Sequence, residues 1–546
     1  MKDIQTTTKG FAVLSVASVV NKFFSVIYVP VLVLIVGNYG NGIINSGYTI
    51  YTLIYGLANA GIPVAISKLV SERIALGDYR NSRRILKAAG ASMLLFGLVF
   101  GAILALGARW LSVNYCHEPK TYLMLLAISP ALCFTSVSGI FRGYFQGRLN
   151  MIPTGVSQVV EQCINSILTV VFAAIFIKYG IEKAAAGTTI GTSAGALGAA
   201  VFLAIVFRLN KGKISKEIES SHYTGNIISY KEIAKQIITY SLPAVLGIIA
   251  MNLSGIIDLY LCSQRLAAAG FDSIKATELY GILTSQYQKL INMPLAAISA
   301  LPAALIPALG SVMALKDTVQ LERKINESLR MCLIIALPAA VGLAVLAKPI
   351  ITLVFLNNNQ GSDLMQIGSW FIIINSVVFV QNAILIGIGK PYYSPINVII
   401  GMILKTILNY FLMGIPSINI KGAVISTIIG YLAACVLNQI VIIKHINIKI
   451  NFKDLLLKPA ICSVIMGAAA FGANFAISFL LKDIIGSYII RNDISVLFSA
   501  AIGGFLYLHL LLRLKVIKSN DILKLPLGYK LNIFLTKLRY FDRAVN

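Results

Sequence analysis

GFAVLSVASVVNKFFSVIYVPVLVLIV, residues 10–36, is a long, predominantly apolar run whose one charged residue, Lys22, lies near its middle. The run exceeds the ~20 residues with which a helix crosses a ~30 Å hydrocarbon layer. It is also too long for the apolar core of a cleavable leader, so no signal peptide is expected. Lipid offers no partner to a free backbone amide, which predicts a helix throughout. Lys289 and Lys405 lie at comparable depth in two later apolar segments. At ~1.5 Å of rise per residue, all three sit ~15–18 Å from the nearest end of their segments. A lysine side chain cannot snorkel that far. On the gentlest insertion scale each buried ammonium costs ~2.5–3.5 kcal/mol. A chain that keeps three is expected to shelter them in a hydrated internal cavity, where they would attract an anion.

The remainder of the chain agrees with a membrane reading. Of 546 residues, 57% are hydrophobic and 12% charged, against ~25% charged in soluble domains. Mean hydropathy is +0.82. The net charge of +25 is carried by basic stretches interleaved with apolar ones. That pattern marks loops facing an anionic cytoplasmic leaflet and gives no ground for a nucleic-acid partner. The seven cysteines form no CxxC pair, and all but Cys116 fall in apolar segments. The four histidines have no metal spacing. There is no P-loop, no nucleophile–base pair and no cofactor motif, so neither an enzyme nor a cofactor is expected.

Hydropathy predicts fourteen spans, at about 11–36, 43–70, 84–109, 120–145, 155–178, 184–208, 236–263, 277–312, 328–355, 368–389, 394–416, 421–444, 456–481 and 491–514. The even-numbered connections carry the basic residues, among them Arg73, Arg80, Arg83, Arg84 and Lys87, then Lys211, Lys213 and Lys216. Both termini are therefore expected to be cytoplasmic. Trp110 and Trp370, at span edges, fit an interfacial belt.

The chain repeats itself. Pro63-Val64-Ala65, followed by Ala75-Leu76-Gly77-Asp78, returns as Pro302-Ala303-Ala304, followed by Ala314-Leu315-Lys316-Asp317. Gly147-Arg148 with Pro153 returns at nearly the same offset as Gly389-Lys390 with Pro395. Spans 1–6 and 7–12 thus read as copies, and an even number of spans per copy gives both the same orientation. The expected fold is an all-α polytopic membrane protein: two six-helix parallel-repeat lobes around a central cavity, plus two extra C-terminal helices. The expected divisions are an N-lobe at 1–209, a cytoplasmic linker at 210–235, a C-lobe at 236–445, helices 13 and 14 at 446–514, and a basic amphipathic tail at 515–546. In the tail, Leu531, Ile533, Phe534, Leu538 and Phe541 alternate with Lys530, Lys537, Arg539 and Arg543, as in an interfacial helix.

Gly143-Tyr144-Phe145-Gln146-Gly147, then Met151, Pro153-Thr154 and the run Val156 to Gln162, VSQVVEQ, carry a resemblance. So do Gly61 to Val70, GIPVAISKLV, then Leu279-Tyr280-Gly281, and Pro302 to Gly310, PAALIPALG. From about residue 8 to the end of span 14 the chain resembles the polysaccharide-export branch of the multidrug/oligosaccharidyl-lipid/polysaccharide exporter superfamily. Within it, the chain is similar to the stage V sporulation protein B group and the lipid II flippases of Gram-positive bacteria. The resemblance implies a central cavity whose cations hold a substrate pyrophosphate, and a groove for the lipid tail formed by helices 13 and 14. It puts Lys22 at a cationic position of helix 1 and Lys289 where relatives have a helix-8 arginine. Lysine keeps the charge but loses the planar fork. Two arginines of relatives are absent: Val29 follows Tyr28, and Asn165 stands near the helix-5 glutamate.

The expected substrate is a polyprenyl-pyrophosphate-linked saccharide: lipid II, a spore cortex precursor or a polysaccharide repeat unit. It would be moved across the cytoplasmic membrane by alternating access. Lys22, Lys289, Lys405, Glu161, Gln158 and Arg142 are the candidate cavity residues. Glu161 and Asp258 are candidates for ion coupling, although Glu161 could equally pair with Arg142 or Lys22. Asn21, Gln158, Gln162, Asn165, Gln286 and Gln288 add hydrogen-bonding capacity and can act as interhelical glue. Membrane lipids and cell-envelope synthesis proteins are the other partners considered. One rival is a cation- or proton-coupled multidrug antiporter, which needs acids rather than lysines in its cavity. Another is a non-transporting envelope scaffold acting through the basic tail.

Overall fold

The computed structural model describes residues 7–58, 62–219, 226–299, 301–314, 317–446 and 452–517, together with Thr536. Among them all regular structure is helical. Among the described residues, ten helices are long and apolar enough to cross a membrane, or eleven if one pair bent by 44° is a single span. The chain is a multi-pass, all-α membrane protein. The count of fourteen stays an expectation of the sequence.

The chain falls into two compact units, Met1–Ser285 with Asn409–Ile420, and Gln286–Leu408 with Lys421–Asn546. The first holds α1 (Thr7–Gly56), α2 (Ile62–Ala75), α3 (Tyr79–Trp110), α4 (Thr121–Gly147), α5 (Ile152–Phe176), α6 (Ile181–Glu219), α7 (Tyr230–Ala268) and α8 (Ser273–Gly281). Expected spans 1 and 2 are not separated by a loop. Gly37, at φ 68°, interrupts α1 for one residue, and helical bonding resumes at once. The glycine supplies the positive-φ step without ending the helix. Expected span 2 is instead divided between α1 and α2.

Small residues bring these helices together at backbone distance. Gly187, Gly191 and Gly195 form a stripe on α6 at four-residue spacing. A Cβ at Gly191 would lie 2.4 Å from the Thr169 amide nitrogen, and one at Gly195 would lie 2.6 Å from the Glu161 carbonyl oxygen. In lipid, where apolar burial gives helices little reason to associate, such close approach is the main source of attraction. It fixes the rotation of α5 and so decides which α5 side chains face α1. Gly139, Gly143 and Gly147 make a second such stripe on α4, where added Cβ atoms would meet the carbonyls of Ala58, Pro63 and Ser67.

α6 continues past its apolar part to Glu219, and Arg148 at the end of α4 grips this extension through Glu217 at 2.6 Å. The short segment that follows is fastened to α3. Asn81 Nδ2 donates to the Asn226 carbonyl (3.1 Å), the Ile228 amide donates to Asn81 Oδ1 (3.0 Å), and Arg84 Nε donates to the Ile228 carbonyl (3.0 Å). α7 then starts from a Ser229 cap. It lays Ile233 and Ile237 into a core with Ile66, Leu69, Val70 and Ile85 of α2 and α3. Lys68 Nζ stands 3.7 Å from the centre of the Tyr240 ring.

The second unit holds α9 (Gln288–Ile298), α10 (Leu301–Ala314), α11 (Thr318–Val345), α12 (Ala347–Val354), α13 (Ser362–Gly368), α14 (Phe371–Gly387), most of α15 (Tyr393–Leu412), α16 (Lys421–His445), α17 (Phe452–Leu480) and α18 (Tyr488–Arg513). Expected span 8 is broken into α8, a π-helical turn at Ile282–Tyr287, α9 and α10. α15 and α16 cross at Gly401 and Gly430, with Lys405 beside the crossing. Against α11, the pair α17 and α18 buries Cys462, Met466, Tyr507 and Leu511 around Val341. Apart from residues 515–517 and Thr536, the basic tail lies outside the described residues.

A polar pocket among membrane-spanning helices

The first unit contains a cavity of about 360 Å³. Two helix faces make most of it. α1 contributes Tyr48, Tyr51, Thr52 and Tyr55, and α5 contributes Gln158, Glu161, Gln162 and Asn165. Both sets follow the spacing i, i+3, i+4, i+7, which lines up one face of a helix. Thr192 of α6 and, from an earlier part of α1, Ser18 and Asn21 complete the wall.

The charges of the wall are balanced from behind. Glu161 Oε2 accepts from Arg142 Nη2 at 2.7 Å, and its other oxygen accepts from the Tyr55 hydroxyl at 3.3 Å. Arg142 Nε donates to Ser157 Oγ at 3.0 Å. The Arg142 side chain is 3% exposed and that of Glu161 16%. Such a pair is held in place by mutual need, since either partner alone would be a buried, uncompensated charge.

A second network sets the opposite end of the pocket. Tyr48 and Thr192 share a hydroxyl–hydroxyl hydrogen bond. Thr192 donates in turn to Asn165 Oδ1 at 3.1 Å, which also accepts from Thr169 at 3.0 Å. With its oxygen committed twice, the Asn165 amide is oriented. The Tyr48 and Tyr51 rings meet edge to face with centroids 6.0 Å apart, and Tyr51 and Tyr55 lie at 5.5 Å.

Of the residues singled out from the sequence, Gln158 and Glu161 line this pocket and Arg142 stands behind it. Asn21, Gln162 and Asn165, read as hydrogen-bonding positions, line it as well. Lys22 lies on α1 next to Asn21, and its side chain is outside the described residues. Asp258, Lys289 and Lys405 do not line the pocket. Asp258 on α7 is buried and accepts from Asn409 Nδ2 at 2.7 Å. Lys289 is exposed on α9, and Lys405 is buried on α15. Sequence reasoning passed over Tyr48, Tyr51, Thr52, Tyr55 and Thr192. The stretch YTIYTLIY, residues 48–55, held the signal, because three tyrosines at helical spacing inside a span face inward together.

The chain matches the family described as polysaccharide biosynthesis protein over residues 7–313. It is 29% identical to the lipid II flippase MurJ of Bacillus subtilis (strain 168), with 92% of this chain and 94% of that protein covered. It is likewise 29% identical to stage V sporulation protein B of the same organism, over 96% of this chain and 98% of that one. Among solved structures, a lipid II flippase MurJ in an inward closed conformation superposes with a TM-score of 0.66 at 15% identity, covering 91% of this chain and 98% of the other. An inward-facing multidrug resistance MATE family transporter of the MOP superfamily gives the same TM-score and identity over 78% of this chain and 94% of its own. The fold is that of these transporters, and the chain belongs to the polysaccharide biosynthesis protein family.

Proposed function

We propose that this chain is a flippase that carries a polyprenyl-pyrophosphate-linked saccharide from the cytoplasmic to the outer face of the cytoplasmic membrane by alternating access. The observation that carries this reading is the pocket. Its wall of carboxamides, hydroxyls and tyrosine rings is held among membrane-spanning helices, where polar groups are costly unless they serve a passage. The names of the relatives, a lipid II flippase and a stage V sporulation protein, support the substrate class.

The chemistry is non-covalent. Lys22 and Lys289, with Lys405, neutralise the diphosphate as point charges. Gln158, Glu161 and Arg142 form part of the polar surface met by the headgroup, and Glu161 and Asp258 are the acids through which an ion gradient could act. The polyprenyl tail stays in hydrocarbon against α17 and α18, whose Phe471, Phe475 and Phe479, and Phe498 and Phe505, are exposed. Basic connections hold both termini in the cytoplasm. Cell-envelope synthesis proteins would supply and consume the lipid-linked unit. A drug antiporter on this scaffold needs a wall that holds a cationic drug, and here the buried guanidinium of Arg142 stands 2.7 Å from Glu161, so such a drug would meet a positive charge.

The test is complementation of a bacterium depleted of its lipid II flippase, comparing the wild-type chain with Lys22→Ala and Lys289→Ala. Rescue by wild type and its loss in the variants is expected. A wild-type chain that reaches the membrane and fails to rescue removes the peptidoglycan precursor from the substrates. Rescue by the double variant equal to wild type overturns the role of the lysines.

A further inference from the structure

We infer that the α1–α5–α6 pocket is a subsite for one neutral sugar ring, a polyhydroxylated or N-acetylated pyranose, and that it does not hold the diphosphate. The inference rests on the flippase reading and narrows it by dividing the headgroup between two places.

Charge decides first. None of the described residues lining the pocket is basic. Its one carboxylate, Glu161, is matched by the buried guanidinium of Arg142. A diphosphate placed here would face Glu161 with no cation among the described residues of the wall, and a cationic ligand would have to compete with Arg142. A neutral ligand meets neither cost.

Hydrogen-bonding capacity decides next. Asn21 Oδ1 is buried and has no hydrogen-bond partner. A buried acceptor left unmade costs ~1–3 kcal/mol, so a native structure that keeps one usually has something to fill it. Gln158, on the facing helix, also makes no side-chain hydrogen bond to a described residue. The Asn165 amide has its oxygen engaged by Thr169 and Thr192, which leaves its NH₂ group to offer. Gln162 donates to Ser166 at 3.2 Å, which leaves its carbonyl to accept. The pocket thus presents donors and acceptors in mixed order. A sugar hydroxyl both donates and accepts, and an acetamido group carries one donor and one acceptor, so each finds a partner here. A phosphate oxygen, which only accepts, would leave the acceptors unmet.

Shape agrees. A volume of about 360 Å³ lies toward the small end of ligand pockets, which run ~300–1,000 Å³. That suits a ring rather than a complete saccharide. Tyr48, Tyr51 and Tyr55 give the apolar C–H face of a pyranose an aromatic surface to rest on.

The experiment uses the full chain in lipid nanodiscs. It compares wild type with Asn21→Leu/Gln158→Leu, which removes no hydrogen bond made by either side chain to a described residue and so leaves the fold intact. Affinity is measured for polyprenyl pyrophosphate and for the same lipid carrying an N-acetylated disaccharide. Saturation-transfer NMR with the free, neutral disaccharide forms a second arm. Wild type should bind the sugar-bearing lipid about tenfold more tightly than the bare one. The variant should lose that preference while keeping its affinity for bare lipid, and should lose the NMR contact. A preference retained by the variant, or absent from wild type, overturns the subsite and leaves the flippase reading standing. Failure to bind either lipid, with an NMR contact that the variant loses, overturns the flippase reading and keeps the subsite. Failure in both arms overturns both.

Discussion

Arg142 of α4 reaches Glu161 of α5 over 2.7 Å, and among the described residues the pair is the one ion pair at the wall of the pocket. With 3% and 16% of their side chains exposed, neither can fall back on water. Removing one partner leaves the other charge stranded, at a cost of ~3–5 kcal/mol. Removing both leaves only a packing change. Arg142→Met and Glu161→Gln are each expected to lower thermal stability in detergent more than the double variant does. A double variant as unstable as the sum of the singles would show that the two act separately.

The close approach of α5 and α6 makes a second prediction. At Gly191 an added Cβ would enter the Thr169 amide at 2.4 Å, a backbone atom that cannot swing aside. Gly191→Val is expected to cost at least the ~1–3 kcal/mol of an overpacked core, because two helices must separate to admit it. Displacing α5 also turns Gln158 and Asn165 away from α1. Loss of sugar-lipid binding should therefore accompany the loss of stability. Gly180→Ala tests a different demand on the backbone, since nothing lies within 4 Å of its Cβ but its φ is 109°. It should weaken the turn before α6 and leave binding intact, as measured by the same nanodisc assay.

These contacts separate what the sequence tells from what it hides. The membrane class and helical character were legible because apolar length is a local property, plain in residues 10–36. The polar face of α5 was legible too, since Gln158, Glu161, Gln162 and Asn165 are conspicuous inside a span. The tyrosines of α1 were not singled out, because an aromatic in an apolar run looks like core until its neighbours are known. Packing units were hidden for a similar reason. A repeat marks which helices are copies, whereas the approach of Lys68 to Tyr240 and the core that Ile66 and Ile233 share depend on chain folding that no local signal announces. Breaks such as the π turn at 282–287 escape hydropathy entirely, because the chain stays helical there while the hydrogen-bond ladder widens.

Cys116 gives a chemical check on the turn between α3 and α4. It lies just beyond the π-helical end of α3 and is 3% exposed, and burial, reinforced by Glu118, pushes its thiol up to about 12. At pH 8 roughly 1 in 10,000 of such thiols is ionised, and the thiolate is the reactive form. In the folded protein, maleimide should leave Cys116 unlabelled and should modify it once the chain is denatured, as read by peptide mass spectrometry. Rapid labelling of the native chain would mean that this turn opens to water.

The start of α7 offers the last test. Asn81 grips both the carbonyl of Asn226 and the amide of Ile228, while Asp78 fixes the Asn81 amide at 2.8 Å. Three backbone groups ahead of α7, counting the Ile228 carbonyl held by Arg84, are thereby satisfied without regular structure. Asn81→Ala removes two of these contacts and leaves buried groups unmade, at ~1–3 kcal/mol. The expected result is faster amide exchange over residues 226–234, with exchange in α5 and α6 unchanged. Because Ile233 and Ile237 anchor α7 on the core of α2 and α3, the helix should stay docked even as its first turn frays. Exchange that rises evenly along the whole of α7 would show instead that the Asn81 grip, rather than the apolar core, holds this helix in place.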